Sequence, residues 1–429
     1  MKIYYKCKNG LLTLSYFIDP SDKTNFTIFR NSYKTSGEVH LNNKQCNIHL
    51  PNNWNIDSVH PDMLALAAIS IVYPFCGPVI SVPIGVSVHF HRAFYRLTNK
   101  KIVPVNYNLK PRKAPINAAP ALSYSGGMDS TSALLLLPPS THLFYIDRIP
   151  PNTLKQRNTM LNQEAAYFAC DSLKKLGFNI HRIKTDLQYV RNPVGFNTIL
   201  ADAAPSLLLS DYYGFNSLAN GHTIEEGYRV GYEGYTDWRK NPFIAIWSEI
   251  LDSVDMPFTL PLIGLSEVST TKMVMNSRYR NIAQACSRGG VGKPCMNCYK
   301  CFRKDLLEKT INNVPLSEPY LNNLFKINDA NNIIKHPYPH FGNVLSYITS
   351  KYNGNHLEMN KLKKKVRGDS INTSWMEKFH PEALDIIAPP YRQFIKKQID
   401  KYVMTMKENE INTMKTLYSV DTIKNYNSI

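Results

Sequence analysis

The sequence predicts an α/β protein: a doubly wound parallel sheet with a zinc-binding segment, preceded by an N-terminal α+β extension and followed by a helical C-terminal extension. Three observations carry this expectation. From Ala121 onward β-prone runs alternate with helical periodicities, the pattern of a parallel sheet with helices on both faces. Before about Pro115 the runs are shorter and β-prone, with one apolar helix among them. Beyond about Asp305 the texture turns helical and polar, rich in Asn, Lys and Tyr. The implied units are 1–115, 116–305 and 306–429.

In chain order, Leu11 to Ile18 and Glu38 to Leu50 read as strands. Met63 to Phe90 contains no Asp, Glu, Lys or Arg and is long enough to cross a membrane, but Pro74, Gly77, Pro78, Pro83 and Gly85 interrupt it repeatedly. It reads instead as a buried helix from Pro61 to Tyr73, a Pro/Gly turn, and a strand from Val79 to Phe90, so no membrane span is expected. Asn106 to Pro120, punctuated by prolines and carrying a Lys-Pro-Arg-Lys run, reads as a linker. Strands follow at Ala121 to Tyr124, Leu143 to Asp147, Asn179 to Ile183 and Ser217 to Asn220, with helices at Ser130 to Leu137, Gln163 to Leu176 and Leu200 to Tyr213.

At 43% hydrophobic and 19% charged residues, the chain is too apolar to be disordered. Its 50 Lys+Arg against 33 Asp+Glu give a net charge of +17, which concentrates anions such as nucleotides, nucleic acids or acidic proteins around it. The basic run from Lys361 to Arg367 reads as a solvated helix face, with docking of nucleic acid or an acidic partner as the alternative. Eight cysteines are too few for a disulfide scaffold, and four fall in one segment. The lysine-broken N-terminus carries no secretory signal, so a cytoplasmic setting is expected.

Ser125-Gly126-Gly127-Met128-Asp129-Ser130-Thr131 stands between a predicted strand and a predicted helix. Two glycines let the backbone approach an anion closely, the N–H groups of the turn and helix start point at it, and three hydroxyls add donors. The loop lacks the Gly-Lys-Ser/Thr of a Walker A motif and the spacing of a dinucleotide fingerprint. Asp129 is placed to assist a metal or to partner the helix dipole. Cys286, Cys295, Cys298 and Cys301 form C-x8-C-x2-C-x2-C, four thiolates able to close a tetrahedron around Zn²⁺, with an iron–sulfur cluster as the rival.

The Ser-Gly-Gly-x-Asp-Ser loop resembles the PP-loop of the N-type ATP pyrophosphatases. With the cysteine spacing, the stretch from about Ala121 to Asp305 is similar to the 7-cyano-7-deazaguanine synthase (QueC-like) family of the queuosine pathway. Gly234-Tyr235-Thr236-Asp237-Trp238-Arg239 resembles that family's Gly-Tyr-Pro-Asp-Cys-Arg element, Gly195-Phe196-Asn197 its Gly-Arg-Asn, and Pro261-Leu262 with Lys272 its Pro-Leu segment followed by a lysine. Only Asp147 survives of the family's Asp-Tyr-Gly-Gln, Gly221-His222-Thr223 replaces a Gly-Val-Asn, and Met296 stands where a glycine is usual.

The resemblance implies a HUP-like fold, ATP, Mg²⁺ and Zn²⁺ as cofactors, and a small-molecule 7-deazaguanine substrate. It implies ATP contacts from Ser125 to Thr131 and Asp147, substrate contacts from Asn197, Tyr235, Asp237 and Arg239, and catalytic roles for Asp129 and Lys272. His222, Glu225 and Glu226 lie beyond a strand end, where α/β sheets bind ligands. The implied reaction is adenylation of 7-carboxy-7-deazaguanine with release of pyrophosphate, then displacement of AMP by ammonia to give amide and nitrile. The two flanking regions, and enlarged members of the family in bacterial antiviral defence, suggest transfer to a protein or nucleic-acid partner instead; a homodimer is the other partnership considered. A tRNA-thiolating enzyme and a non-catalytic ATP-binding scaffold are the readings from other classes.

Overall fold

Nine strands join one mostly parallel sheet in the computed structural model of the chain, which describes residues 1–30, 35–151, 162–231, 234–335 and 339–417. The N-terminal strands are β1 (Lys2–Lys8), β2 (Leu11–Phe17), β3 (Asn25–Arg30), β4 (Thr35–Leu41), β5 (Gln45–His49), β6 (Val79–Ser87) and β7 (Lys101–Asn106). They are followed by β8 (Ala119–Ser123), β9 (His142–Arg148), β10 (Asn179–Thr185), β11 (Arg191–Asn192) and β12 (Phe215–Ala219). The sheet runs β12-β8-β9-β10-β5-β2-β1-β6-β7, and β11-β4-β3 form a smaller second sheet.

Within the large sheet β8, β9, β10 and β12 are parallel to one another. From β8 the chain steps outward to β9 and β10, then crosses back to lay β12 on the opposite side of β8. That reversal opens a crevice at the carboxyl ends of β8 and β12, the place where open α/β sheets take ligands. β8 and β9 are buried for most of their length, as strands covered on both faces must be. The strands of the first 115 residues continue this sheet through β5, which pairs antiparallel with β10 at Thr185 and Ile48.

The helices among the described residues up to β12 are α1 (Pro61–Val72), α2 (Val88–Thr98), α3 (Met128–Leu136), α4 (Glu164–Lys175), α5 (Ala204–Leu208) and α6 (Ser210–Tyr213). After β12 come α7 (Ile224–Gly227), α8 (Ala245–Asp252), α9 (Glu267–Met275), α10 (Tyr299–Ile311), α11 (Glu318–Leu324) and α12 (Asn328–Lys335). The last are α13 (Gly342–Ser350), α14 (Leu357–Lys365), α15 (Pro389–Ile399) and α16 (Glu408–Leu417). No helix of the described residues is long and apolar enough to cross a membrane.

Two expected elements are corrected. The strand expected through Phe90 ends at Ser87, whose hydroxyl accepts the Phe90 N–H at 3.1 Å and donates to buried Asp62 at 2.7 Å, capping α2. Phe90 and Phe94 then fall four apart on the buried face of that helix. The single helix expected from Leu200 to Tyr213 is broken into a 3₁₀ turn, α5 and α6, because Pro205 starts a new helix and Leu209 leaves the helical conformation.

The C-terminal helices fold back onto the sheet unit. Ser266 and Ser269 donate to the Met376 carbonyl at 2.6 and 2.7 Å, and Tyr391 donates to the Ala118 carbonyl at 3.2 Å. On α14 Met359 and Leu362 are buried while Lys361 is exposed and paired with Glu358, so the basic run there forms an outer face. Residues 418–429, the end of the expected C-terminal unit, lie outside the described residues.

Candidate functional site at the sheet switch point

The loop between β8 and α3 sits at the crevice. Gly126 has φ +78°, and a Cβ there would come within 3.1 Å of the Ala166 Cα, so the turn requires glycine. Ser130 holds the loop in shape: its hydroxyl accepts the Ser125 N–H at 3.3 Å and donates to the Gly127 carbonyl at 3.2 Å. Gly127 is the N-cap of α3, so the first-turn N–H groups of that helix lack intrahelical acceptors and can serve an anion. Gly221, just past β12, packs so tightly that a Cβ would lie 3.0 Å from the Ser130 nitrogen.

A cavity of about 250 Å³ opens beside the loop, lined among others by Ser125, Gly127, Arg148, Phe196, Asp202 and Lys300. Desolvation, then the charges of Lys304 and Arg303, lower the pKa of Lys300, a residue that keeps exposed surface, while Asp129 and Glu267 pull the other way. The Asp129 side chain is partly buried, 31% exposed. Burial alone would raise its pKa, but Lys304 and Lys300 hold its carboxyl below the usual range.

The charges under the loop form a chain. Lys304, almost fully buried, bridges Asp129 at 3.2 Å and Glu267 at 3.4 Å, and Arg303 pairs with Glu267 at 2.8 Å. Thr270 donates to the other Asp129 oxygen at 3.1 Å. The Glu267 N–H donates to Glu225, whose carboxylate also accepts from Asn343 at 2.7 Å and Thr223 at 2.6 Å. Helix α9 thereby carries Glu267 and Thr270 on one face, three residues apart, against α3 and α10.

Burial pushes the Glu225 carboxyl from an ordinary 4.5 up to about 7, outweighing its hydrogen bonds from Thr223 and Asn343. Between those values the folded protein holds a proton that the unfolded chain has released, so this group's contribution to stability falls as pH rises through that window and levels off above it. Comparing urea unfolding of the wild type with Glu225→Gln isolates the group. From about pH 5.5 to about pH 7.5 the difference is expected to move by roughly 2 kcal/mol in favour of the glutamine variant. A pH-independent difference would contradict this.

The structure separates several residues that the sequence grouped. Met128 packs in a small apolar cluster with Val274 and Met275, and Thr131 is buried beside the Tyr124 hydroxyl at 3.2 Å. Asp147, at the end of β9, accepts from Tyr167 of α4. Asn197 donates to the Ile71 carbonyl at 2.6 Å. Asp237 caps the turn Trp238–Lys240 and pairs with Arg239 at 3.2 Å, and Arg239 continues to Asp385. Tyr235 stacks on Tyr228 at 5.8 Å.

Lys272 does not reach the cavity: half exposed, it pairs with Glu377 at 2.8 Å. Two residues beyond Thr270, it lies about 200° around α9. The lysines that do reach the loop and cavity, Lys304 and Lys300, are one helical turn apart on α10. Their signal was present in the Lys-x-x-Arg-Lys that begins between the last two cysteines.

The sulfurs of Cys286, Cys295, Cys298 and Cys301 all lie within 4.8 Å of one another, with Cys295 and Cys301 at 3.7 Å. Tetrahedral Zn–S bonds put sulfurs about 3.8 Å apart, so the set fits a metal such as zinc with no position left open. Met296 between them has φ +47°, which explains why glycine suits this position. Cys298 is the N-cap of α10, so the cluster fixes the start of the helix that delivers Lys300, Arg303 and Lys304.

No curated protein and no solved structure matches the chain. Residues 246–418 match a family of unknown function (DUF6395), a stretch that contains the four cysteines, Lys300 and Lys304 but not the loop from Ser125 to Thr131.

Proposed function

We propose that the protein is a HUP-like, PP-loop enzyme that uses ATP to adenylate a carboxylate, of the 7-carboxy-7-deazaguanine class, and hands the acyl group to a nitrogen nucleophile. One observation carries this reading: the Ser125–Ser130 loop and Lys300 converge on one cavity at the switch point of β8 and β12. A carboxylate is a poor electrophile and oxide a poor leaving group. Joining the carboxylate to AMP answers both needs, and the charge on departing pyrophosphate is met by the loop N–H groups and Lys300.

Asp129 acts in this scheme beneath the loop, because its carboxylate is engaged by Lys304 and Thr270. Mg²⁺ would accompany the phosphates of ATP and supply charge neutralisation there. The Asp237–Arg239 pair could meet the deazaguanine edge once it parts, the carboxylate accepting ring and amine N–H groups and the guanidinium donating to a carbonyl. A tRNA-thiolating reading needs a free reactive cysteine. It is disfavoured because four cysteines are clustered, Cys46, Cys76 and Cys170 are buried, and burial raises the pKa values of these three and of half-buried Cys7 on β1.

With ATP, 7-carboxy-7-deazaguanine and ammonium, the purified protein is expected to release pyrophosphate and AMP in equal amounts. Ser130→Ala should lower that rate by about 10²–10³-fold. A wild type that releases no pyrophosphate, or a variant that releases it at the wild-type rate, would overturn the reading.

A further inference from the structure

Where the first 115 residues extend the large sheet, one of its faces is buried and the other is open. Ile3, Leu12, Leu14, Cys46 and Ile48 of β1, β2 and β5 are buried on the side of α1, where the Tyr16 hydroxyl donates to the Ala68 carbonyl at 3.5 Å. The alternate residues of these strands point the other way. Among them Lys2, Tyr4, Lys6 and Lys8 of β1 and Phe17 of β2 are exposed, the two rings at 52% and 55%. Tyr4 and Phe17 meet edge to face, their centroids 5.2 Å apart.

Cross-strand register orders this open face into rows. Tyr4, Ser15 and Gln45 stand side by side on β1, β2 and β5, as do Lys6, Thr13 and Asn47. Lys2 pairs with Asp19 at 3.5 Å, both partly exposed, whereas Lys6 and Lys8 form no ion pair among the described residues. Asp19 and Asp186, at the margins of the face, are therefore already engaged, the second by the Asn47 backbone and side chain at 2.6 and 3.1 Å.

We propose that this open sheet face binds single-stranded RNA, with bases stacking on Tyr4 and Phe17 and phosphates meeting Lys6, Lys8 and Lys2. Each part of the surface selects one part of the ligand. The exposed rings accept unpaired bases of any sequence, which a duplex keeps stacked inside. The ammoniums along β1, from Lys2 to Lys8 over about 20 Å, follow a phosphate backbone and release its counterions. The Ser15 hydroxyl and Gln45 amide, in line with Tyr4, offer donors and acceptors to a 2′-hydroxyl, the group that tells RNA from DNA. An acidic peptide would use the lysines and leave the rings idle. A second copy of the chain, docked through the same face, would set lysines against lysines across a two-fold axis. No residue of this face lines the loop cavity, so the inference stands apart from the adenylating reading.

The test is the fluorescence anisotropy of a labelled oligouridine of about twelve nucleotides titrated with the full chain. Saturable binding with Kd below about 100 μM at low salt is expected. Tyr4→Thr combined with Phe17→Thr keeps β-forming side chains on both strands and should weaken binding at least about ten-fold. Lys6→Gln combined with Lys8→Gln should reduce the slope of log affinity against log salt by about 1.4, the share of two phosphate contacts on a single strand. Lys361→Gln combined with Lys364→Gln, on the outer face of α14, should leave the affinity little changed.

Absence of saturable binding overturns the inference, as does wild-type affinity in a folded Tyr4→Thr, Phe17→Thr variant. Should that variant not fold, an unchanged salt slope in Lys6→Gln, Lys8→Gln has the same force. A larger loss from the α14 variant than from the sheet variants would move the RNA site elsewhere and overturn this one. Oligothymidine or an RNA duplex of the same length bound as tightly as oligouridine, or polyglutamate or phosphatidylserine vesicles displacing it as readily as unlabelled oligouridine, would assign the face to another partner.

Discussion

Replacing Lys304 by methionine is expected to destabilise the protein by about 3–5 kcal/mol, because it strands two carboxylates that share one buried ammonium. Lys304 sits between Asp129 under the loop and Glu267 on α9, and its own side chain is 2% exposed. Methionine matches its length and removes only the charge. Asp129 would keep Thr270 and Glu267 would keep Arg303, so the loss is partial rather than complete. Urea unfolding measures it directly. Adding Asp129→Asn to the methionine variant should recover part of the loss, since it removes one of the stranded charges. A single variant within about 1 kcal/mol of wild type would mean the bridge contributes little.

Cys298→Ser is expected to abolish stoichiometric metal binding and to lower the unfolding temperature by at least about 10 °C. Three cysteines would remain, but the cluster closes through Cys298, the residue that also caps α10. Plasma mass spectrometry should find about one zinc atom per wild-type chain, about two to four iron atoms instead deciding for an iron–sulfur cluster, and a background level in the variant. Cys170→Ala, in a buried cysteine far along the sequence from the cluster, should leave the metal content unchanged. Under the adenylating reading, pyrophosphate release should fall along with the metal, because α10 carries Lys300 and Lys304. A metal-free variant with full thermal stability would show that the cluster does not brace the helix.

The loop and the cysteines were legible because each is a short window whose chemistry depends on neighbours in sequence. Two glycines, flanking hydroxyls and a strand–helix context identify an anion cradle, and C-x2-C-x2-C identifies a metal set without any knowledge of the fold. The residues that complete the cavity were harder to find because they converge from separate elements. Asp202 comes from a 3₁₀ turn before α5, and Lys300 from α10.

Lys272 illustrates the opposite failing. Proximity along the chain to a resembling Pro-Leu segment placed it at the site, yet its position on α9 turns it away from Thr270 and toward Glu377. Likewise α2 was hidden by the β-branched run before it, and only the Ser87 hydroxyl, meeting Asp62 from a distant helix, decides where strand stops and helix starts.

The seam between β5 and β10 gives the first 115 residues a meaning that their lack of catalytic motifs concealed. Besides the strand pairing, Asp186 accepts the Asn47 N–H at 2.6 Å, and the buried Trp54 indole donates to the Leu208 carbonyl at 3.0 Å. An exposed flank on β10 would offer a row of unpaired backbone groups to any passing strand. With β5 in place the sheet continues outward to β7, whose outermost position carries Lys101 and Pro104, residues ill suited to recruiting another strand. The N-terminal strands thus move one margin of the sheet away from the loop cavity and end it in residues that discourage strand addition.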